Sequence, residues 1–563
     1  MRQSNDSDHQ RTLRVRLSHP DVGDIGQGSI TFGYSCLARV DLDGLGREIS
    51  LSGPQLAEGL LAQAEDGTRL SLFNCERRDR TLFPEFVIDG EVTSPQFLSF
   101  EVRYLNVSEW FFQQMPIDGV PGEKLEWCGT PAPLAAEVSL PGHHFKLSSF
   151  YVGTLECQGE DRNLHQHFEF RFTATQDRFS LAGIKQHARQ FSNLLSILLG
   201  HPCSIVSVDV SVDGKRSLQL FYGIFKSPPN QEASQDDRGR VSWRTFLTQK
   251  SDVDARWDDV VNRFFRSDYR EVIWSRVAGM QNYEGFWEYR VLGYVSLLDS
   301  YVSQRFKKGP PMQPTKRLLR LQTALGAVKP PMDQAQRAEV MGIATRIFLA
   351  NDTFASRFQQ LLNTLDPDVL KIINLSRADF EAIKELRDEV AHGQQPSFKG
   401  PDVTPILVIT NRIILLLTHL FFVDVGLARD VFLECLARPL NKLRMDSDVD
   451  QVHLDRTLKP TSFFQVSVQA LQAIQQRSRR LHCSCFVRDR SGAISYSASH
   501  SEEIQNASRA RLGVRYHELL RLPEEAVTYV GDAYFEDGKQ TESLHSAVLI
   551  DLARVPNCGR SQN

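Results

Sequence analysis

The sequence is poor in the features that most often declare chemistry. Its nine cysteines among 563 residues never form a Cys-x-x-Cys pair, which argues against a disulfide framework or a ribbon-type zinc site and fits a reducing compartment. No Gly-x-x-x-x-Gly-Lys-Ser/Thr loop occurs, and Gly23, Gly26 and Gly28 lack the strand-then-helix context of a dinucleotide fingerprint. Gly-x-Ser-x-Gly and His-Glu-x-x-His are missing as well. There is no excess of positive charge: 65 lysines and arginines face 69 acids, for a formal net charge of −4. A protein that coats nucleic acid indiscriminately is thereby excluded, and any nucleic-acid site must be local. Met1–Arg16 has no apolar stretch of the signal-peptide kind, so a cytoplasmic location is expected. Hydrophobic runs of membrane length are interrupted: Pro405–Ala428 is the most apolar, but it contains Asn411, Arg412, His419 and Asp424. A buried helix of a soluble bundle is expected there, with no membrane partner.

What is present reads as folded protein. Hydrophobic residues make up 41% and charged residues 24%, the balance of globular chains, and the length suggests about three to five domains. The expected class is multidomain α+β. Residues 1–225 are β-rich, with alternating or β-branched runs in Ser29–Cys36, Phe97–Leu105, Leu147–Leu155, Phe168–Ala174 and Ile205–Val212. They hold one or two domains, with a helix near Leu181–Leu199 and an Asp213-Gly214 hairpin signal. Residues 226–256 look like a linker. Helical periodicity dominates 257–443, in Asp258–Gly279, Tyr283–Phe306, Arg317–Leu325, Asp333–Leu349, Thr353–Leu365, Arg377–His392, Pro405–Val425 and Arg429–Leu443. Residues 444–563 form a small α+β region, with helices near Phe464–Arg479 and Ser501–Leu522.

Metal chemistry finds little support. Cys128, His143, His144, Cys157, His165 and His167, or His482, Cys483 and Cys485, lack the paired spacing that fixes two corners of a tetrahedron. Neither a metal nor another cofactor is expected.

One segment stands apart: Glu385-Leu386-Arg387-Asp388-Glu389-Val390-Ala391-His392-Gly393. It sets Arg387 and His392 at Arg-x-x-x-x-His near the end of a helix, opened by a Ser376/Asp379 capping pair. Five helical positions turn through roughly 500°, leaving the side chains about 140° apart. They converge only if the helix is distorted or ends near His392, and Gly393 permits such an ending. An imidazole exchanges protons near neutral pH, whereas a guanidinium is permanently charged and binds phosphate oxygens. The pair suits phosphodiester cleavage. The same residues also fit a plainer role, an arginine paired with neighbouring acids and a histidine facing a helix C-terminus.

ELRDEVAHG, on a long helix followed by a loop and a second apolar helix, resembles the catalytic motif of HEPN-domain ribonucleases. The resemblance covers about Trp274–Leu443. The β-rich half ahead of such a domain, with SFEVRYLNVSEWF at Ser99–Phe111, resembles ApeA-type HEPN proteins of bacterial anti-phage defence. The resemblance implies an all-α HEPN-like bundle and a metal-independent endoribonuclease acting in abortive infection on RNA, with tRNA as the substrate class. By it, Arg387 stabilises the scissile phosphate, His392 moves protons as the ribose 2′-hydroxyl attacks, and Asp388 orients one of them or the RNA. It implies a homodimer that brings two motifs to one cleft, and an N-terminal region that senses or restrains, answering a phage-derived protein trigger. Some HEPN domains lack nuclease activity, so the rival expectation is a non-catalytic dimerisation and RNA- or protein-binding scaffold.

Between Arg305 and Arg346, nine basic residues face the two acids Asp333 and Glu339. Lys307, Lys308, Lys316, Arg317 and Arg320 are the expected RNA-backbone contacts. Arg412 and His419 share a face of the following helix and are expected to be structural, with contact to the motif helix. Trp257, Phe264, Phe265, Trp274, Phe286, Trp287 and Tyr289 are expected in the core rather than as stacking platforms.

Overall fold

The computed structural model describes residues 10–34, 36–43, 59–113, 117–119, 125–127, 129–158, 161–223, 242–306, 316–328, 332–349, 353–394, 402–476, 483–510 and 514–555. By internal contacts the chain divides into two compact units, Met1–Val449 and Asp450–Asn563.

Alternating sequence in the first unit forms β1 (Arg11–His19), β2 (Gly23–Phe32), β3 (Arg39–Leu42), β4 (Leu60–Ala64), β5 (Arg69–Arg78) and β6 (Thr81–Asp89). Further along are β7 (Ser99–Tyr104), β8 (Ala135–Leu140), β9 (His143–Gln158), β10 (Asp161–Ala174), β11 (Ile205–Ser211) and β12 (Leu218–Phe221). They hydrogen-bond in the order β8-β9-β10-β7-β11-β12-β6-β3-β2-β1-β4-β5, and β5 also pairs with β6. The last six strands of that order therefore close into an antiparallel barrel, which leaves its strands without exposed edges. Val15, Leu17, Ile30, Phe32, Val40 and Leu72 fill its interior. The Asp213-Gly214 turn joins paired strands as expected, but through the longer stretch between Ser211 and Leu218. Asp213 accepts hydrogen bonds from the Lys215 and Arg216 amides, and Gly214 takes φ +76°.

The open half of the sheet carries α1 (Val107–Phe112) and α2 (Leu181–Leu199). Ser180 caps α2 by accepting from the Gly183 amide, and Gly200, at φ 67°, ends it. Phe191 on α2 meets Phe170 and Phe172 edge-on, and the Tyr104 hydroxyl donates to the Ala188 carbonyl at 2.9 Å.

The expected linker is only partly that. Residues 224–241 lie outside the described residues, while 242–256 are packed into the first unit. Leu247 and Thr248 are fully buried. Thr248 accepts from Trp110 Nε1 at 2.9 Å and donates its amide to the Leu198 carbonyl, while Arg438 bonds both Leu247 O and Asp252. Apolar Phe246 and Leu247, embedded in polar sequence, insert between the sheet's helices and the helical region.

The helical region comprises α3 (Trp257–Arg266), α4 (Ser275–Met280), α5 (Trp287–Arg305), α6 (Lys316–Gly326), α7 (Gln334–Leu349), α8 (Phe354–Leu362), α9 (Pro367–Ile373), α10 (Arg377–Ala391), α11 (Thr404–Asp424), α12 (Arg429–Ala437) and α13 (Lys442–Asp446). The expected single helix Asp258–Gly279 is broken. Asp424 accepts from Ser267 Oγ and from Trp274 Nε1, and a π-helical turn at Arg270–Trp274 absorbs the change of direction. The stretch Thr353–Leu365 is the single helix α8 as expected, whereas Arg429–Leu443 divides into α12 and α13 around Pro439. Helix α5 buries Val291, Val295, Leu298 and Val302 at helical spacing and packs against α8, α10 and α11. Helix α11 is long and apolar enough to cross a membrane, yet it is mostly buried within this unit. Its N-cap is Val403, and Asp402 accepts the Thr404 amide. Among the aromatics expected in the core, Trp257 and Trp274 are buried, whereas Phe286 and Tyr289 are exposed.

The second unit is α+β. Its sheet has the order β13 (Phe463–Gln465), β16 (Val527–Glu536), β17 (Thr541–Asp551), β14 (Ser484–Arg488), β15 (Ile494–Ser497). Helices α14 (Gln451–Leu458), α15 (Val468–Gln475), α16 (Ala498–Ala510) and α17 (Tyr516–Leu520) accompany it. The expected helix Phe464–Arg479 starts instead as β13, parallel to β16, and the expected helix Ser501–Leu522 is two helices.

Candidate active site

Helix α10 forms for local reasons. Ser376 Oγ accepts the Asp379 amide and Asp379 Oδ2 accepts the Ser376 amide, both at 3.0 Å. Phe380, Ile383 and Leu386 make its buried stripe. It stops just after the motif: His392 is the C-cap, Gly393 adopts φ +66°, and the Gln394 amide reaches back to the Glu389 carbonyl at 2.9 Å. This is a glycine-terminated end, in which the left-handed residue lets the chain turn while satisfying the last carbonyls.

Arg387 sits one turn before that end, half-buried against α5. Its Nη2 donates to Asp299 Oδ2 at 2.8 Å and its Nη1 to Asp388 Oδ1 at 2.7 Å. The guanidinium also lies over the Phe354 ring, 5.9 Å from its centroid. Asp388 takes a second cation, Lys384 Nζ at 3.0 Å, and Asp299 takes Arg357 of α8 at 3.4 Å. Charges therefore alternate along Arg357, Asp299, Arg387, Asp388 and Lys384, with three cations and two carboxylates. Partial burial alone would raise the Asp388 carboxyl, but the hydrogen bonds from Arg387 and Lys384 hold it below its ordinary range. Burial likewise opposes the Arg387 charge, and its carboxylate partners outweigh it.

His392 lies at the exposed helix end. Its amide donates to the Asp388 and Glu389 carbonyls, and its ring makes no hydrogen bond among the described residues. Arg387 and Asp388 are thus brought together, while no hydrogen bond joins the His392 ring to either. The helix end supplies an anchored cation and an accessible imidazole about one turn apart. Chemically, the first can hold a phosphate oxygen and the second can exchange a proton with bound substrate.

The basic segment is only partly described. Lys307 and Lys308 lie outside the described residues; Lys316 and Arg317 lie on α6 with undescribed side chains; Arg320 is exposed on α6. Arg412 is buried and does touch the motif helix, but at its far end. Its Nε donates to Ser447 O at 3.0 Å, Nη2 to Asp448 O at 3.1 Å, and Nη1 to Asp379 at 3.4 Å. His419 packs on Phe432, and burial pushes its imidazole down to about 4. Of the cysteine and histidine sets, Cys128 and His482 lie outside the described residues, and His143 bonds His187 instead, at 3.1 Å. Among the described residues no group of three or more histidine, cysteine or acidic side chains could hold a metal ion.

Sequence reasoning missed Asp299 and Arg357. Asp299 adjoins Leu298 on the apolar seam of α5, and an acid on a core-facing stripe was the available signal. Nothing in spacing marked Arg357, because its proximity to Arg387 is tertiary.

No curated protein and no solved structure matches the chain. The family model for ApeA N-terminal domain 1 matches residues 23–264, from β2 through most of α3 and ahead of α10. Over that region, which includes five of the six barrel strands in full, the open sheet and the packed 242–256 segment, the chain is similar to ApeA N-terminal domain 1.

Proposed function

We propose that the protein acts in anti-phage defence as a metal-independent endoribonuclease of the HEPN kind, with its cutting residues at the end of α10 and its N-terminal region sensing or restraining. The defence role draws on the similarity of residues 23–264 to ApeA N-terminal domain 1. The cutting role is carried by one observation: α10 ends at a glycine immediately after an exposed His392, one turn beyond an Arg387 fixed by two carboxylates. In the reaction, the ribose 2′-oxygen bonds to phosphorus, the P–O5′ bond breaks, and one proton passes in net from the 2′-oxygen to the 5′-oxygen. A 2′,3′-cyclic phosphate and a 5′-hydroxyl result. Arg387 neutralises the charge that builds on the non-bridging oxygens. His392 transfers a proton. One imidazole serves one proton transfer at a time, so a homodimer that adds a second His392 completes the acid and base pair. RNA, with tRNA as the expected class, is the substrate.

A specific observation favours a second reading, the non-catalytic RNA- or protein-binding scaffold. Asp299 and Asp388 already occupy both Nη atoms of Arg387. Cleavage of tRNA and unstructured RNA in EDTA by the wild type, Arg387→Ala and His392→Ala separates the two. Cyclic-phosphate ends made by the wild type alone support the nuclease. Equal cleavage by all three, or RNA binding without cleavage in the presence of phage-infected lysate, favours the scaffold.

A further inference from the structure

We propose that Arg357 is a second phosphate-binding residue, paired with Arg387 across Asp299, so that two guanidiniums clamp one phosphodiester of bound RNA. This rests on the end of α10 being an RNA-cleaving site. Asp299 offers one oxygen to each arginine: Oδ2 accepts from Arg387 Nη2 at 2.8 Å, and Oδ1 from Arg357 Nη2 at 3.4 Å. A carboxylate resembles, in charge and in the spread of its two oxygens, the non-bridging oxygens of a phosphodiester. Two arginines already facing one carboxylate are therefore held at a separation that one phosphate can bridge.

The two arginines are held unequally. Arg387 is braced by Asp388 and Phe354 as well as by Asp299. Arg357 has the one long contact, and its Nε is buried with no hydrogen-bond partner among the described residues. A buried donor without an acceptor is costly, so Arg357 keeps bonding capacity that Asp299 leaves unused. The spacing of the pair is rigid because Phe358 of α8 stacks on Phe380 of α10 at 3.9 Å, with Phe354 edge-on to the same ring at 5.0 Å. The charges of the cluster, three cations against two carboxylates, leave one positive charge for one phosphodiester to neutralise.

The test uses full-length His392→Ala protein, expected to bind RNA without cutting it, titrated with labelled single-stranded RNA and with tRNA across a salt series. Adding Arg357→Gln is expected to weaken binding roughly 10-fold and to lower the salt slope by about one. Arg357→Lys, which retains the charge without the fork, is expected to recover about half of that logarithmic loss and to stay measurably weaker than the parent. In the cutting-competent protein, Arg357→Gln should raise KM more than it lowers kcat. Unchanged affinity and slope for Arg357→Gln, with wild-type cleavage intact, overturns the clamp and leaves the nuclease standing. No RNA binding by His392→Ala together with no cleavage by the wild type overturns both. If Arg357→Gln fails to fold, Arg357→Lys decides: weaker binding at an unchanged melting temperature supports the clamp, and unchanged binding overturns it.

Discussion

The two ends of helix α10 each engage an arginine bound by two carboxylates, and only one of the two is also bound by backbone carbonyls. At the N-terminal end Arg412 is buried and donates to two backbone carbonyls, Ser447 O and Asp448 O, as well as to the Asp379 and Asp448 carboxylates. At the C-terminal end the Arg387 guanidinium hydrogen-bonds to side-chain carboxylates and to no backbone carbonyl among the described residues, and it stands one turn from an exposed imidazole. Backbone carbonyls belong to the fold and cannot be exchanged without moving the chain. Carboxylates are anions on rotatable stems, and a phosphate can take their place. An arginine's partners, more than its burial, thus separate a structural cation from one able to serve a ligand.

The sharpest break of this comparison lies in activity. His392→Ala and Arg387→Ala are expected to lower cleavage by about 10²–10⁴-fold, while Arg387→Ala costs only about 1 kcal/mol of stability. A protein that loses several kcal/mol on Arg387→Ala, by denaturant titration, erases the distinction between the two ends. Next comes Arg412→Met, expected to destabilise the first unit by about 3 kcal/mol by leaving buried carbonyls and Asp379 without their donor. Retained stability in that variant would show that the Arg412 contacts are dispensable.

A smaller effect follows from pH. Burial pushes His201 and His419 down to about 4 in the folded protein, whereas both titrate near 6.5 when unfolded. Between those values the unfolded chain binds more protons, so stability is full above pH 6.5 and falls as pH drops toward 4. A decline of roughly 2–4 °C in melting temperature between pH 7 and pH 5 is expected from the pair. His419→Leu should remove about half of it; an unaltered pH slope would mean that His419 is solvated. Smallest is Arg377→Ala, which breaks an exposed pair with Glu381 beside the capping box. Its melting temperature is expected to match the wild type.

Much of α10 was legible because its signals are local. Ser376 and Asp379 lie three residues apart, Phe380, Ile383 and Leu386 recur at helical spacing, and Gly393 follows the last turn. The β-rich half was legible as strands for the same reason, and the turn at Asp213-Gly214 likewise. The break at Ser267–Trp274 was not, because its cause is Asp424, far along the chain. Residues 242–256 misled in the other direction: their polar composition reads as a linker, yet Leu247 and Thr248 are enclosed by partners from α2 and by Trp110 and Arg438.

By itself the sequence determined where Arg387 and His392 stand along a helix, that this helix starts at Ser376 and stops at Gly393, and that the chain passes from strands to helices and back to a mixture. These follow from backbone preferences and side-chain periodicity within a few residues. Only the tertiary structure decided that β5 meets β6 to close a barrel, that Asp299 and Arg357 join Arg387, and that Arg412 is locked at the opposite end. Such contacts arise when packing brings distant segments together, and no local preference encodes which distant segment arrives.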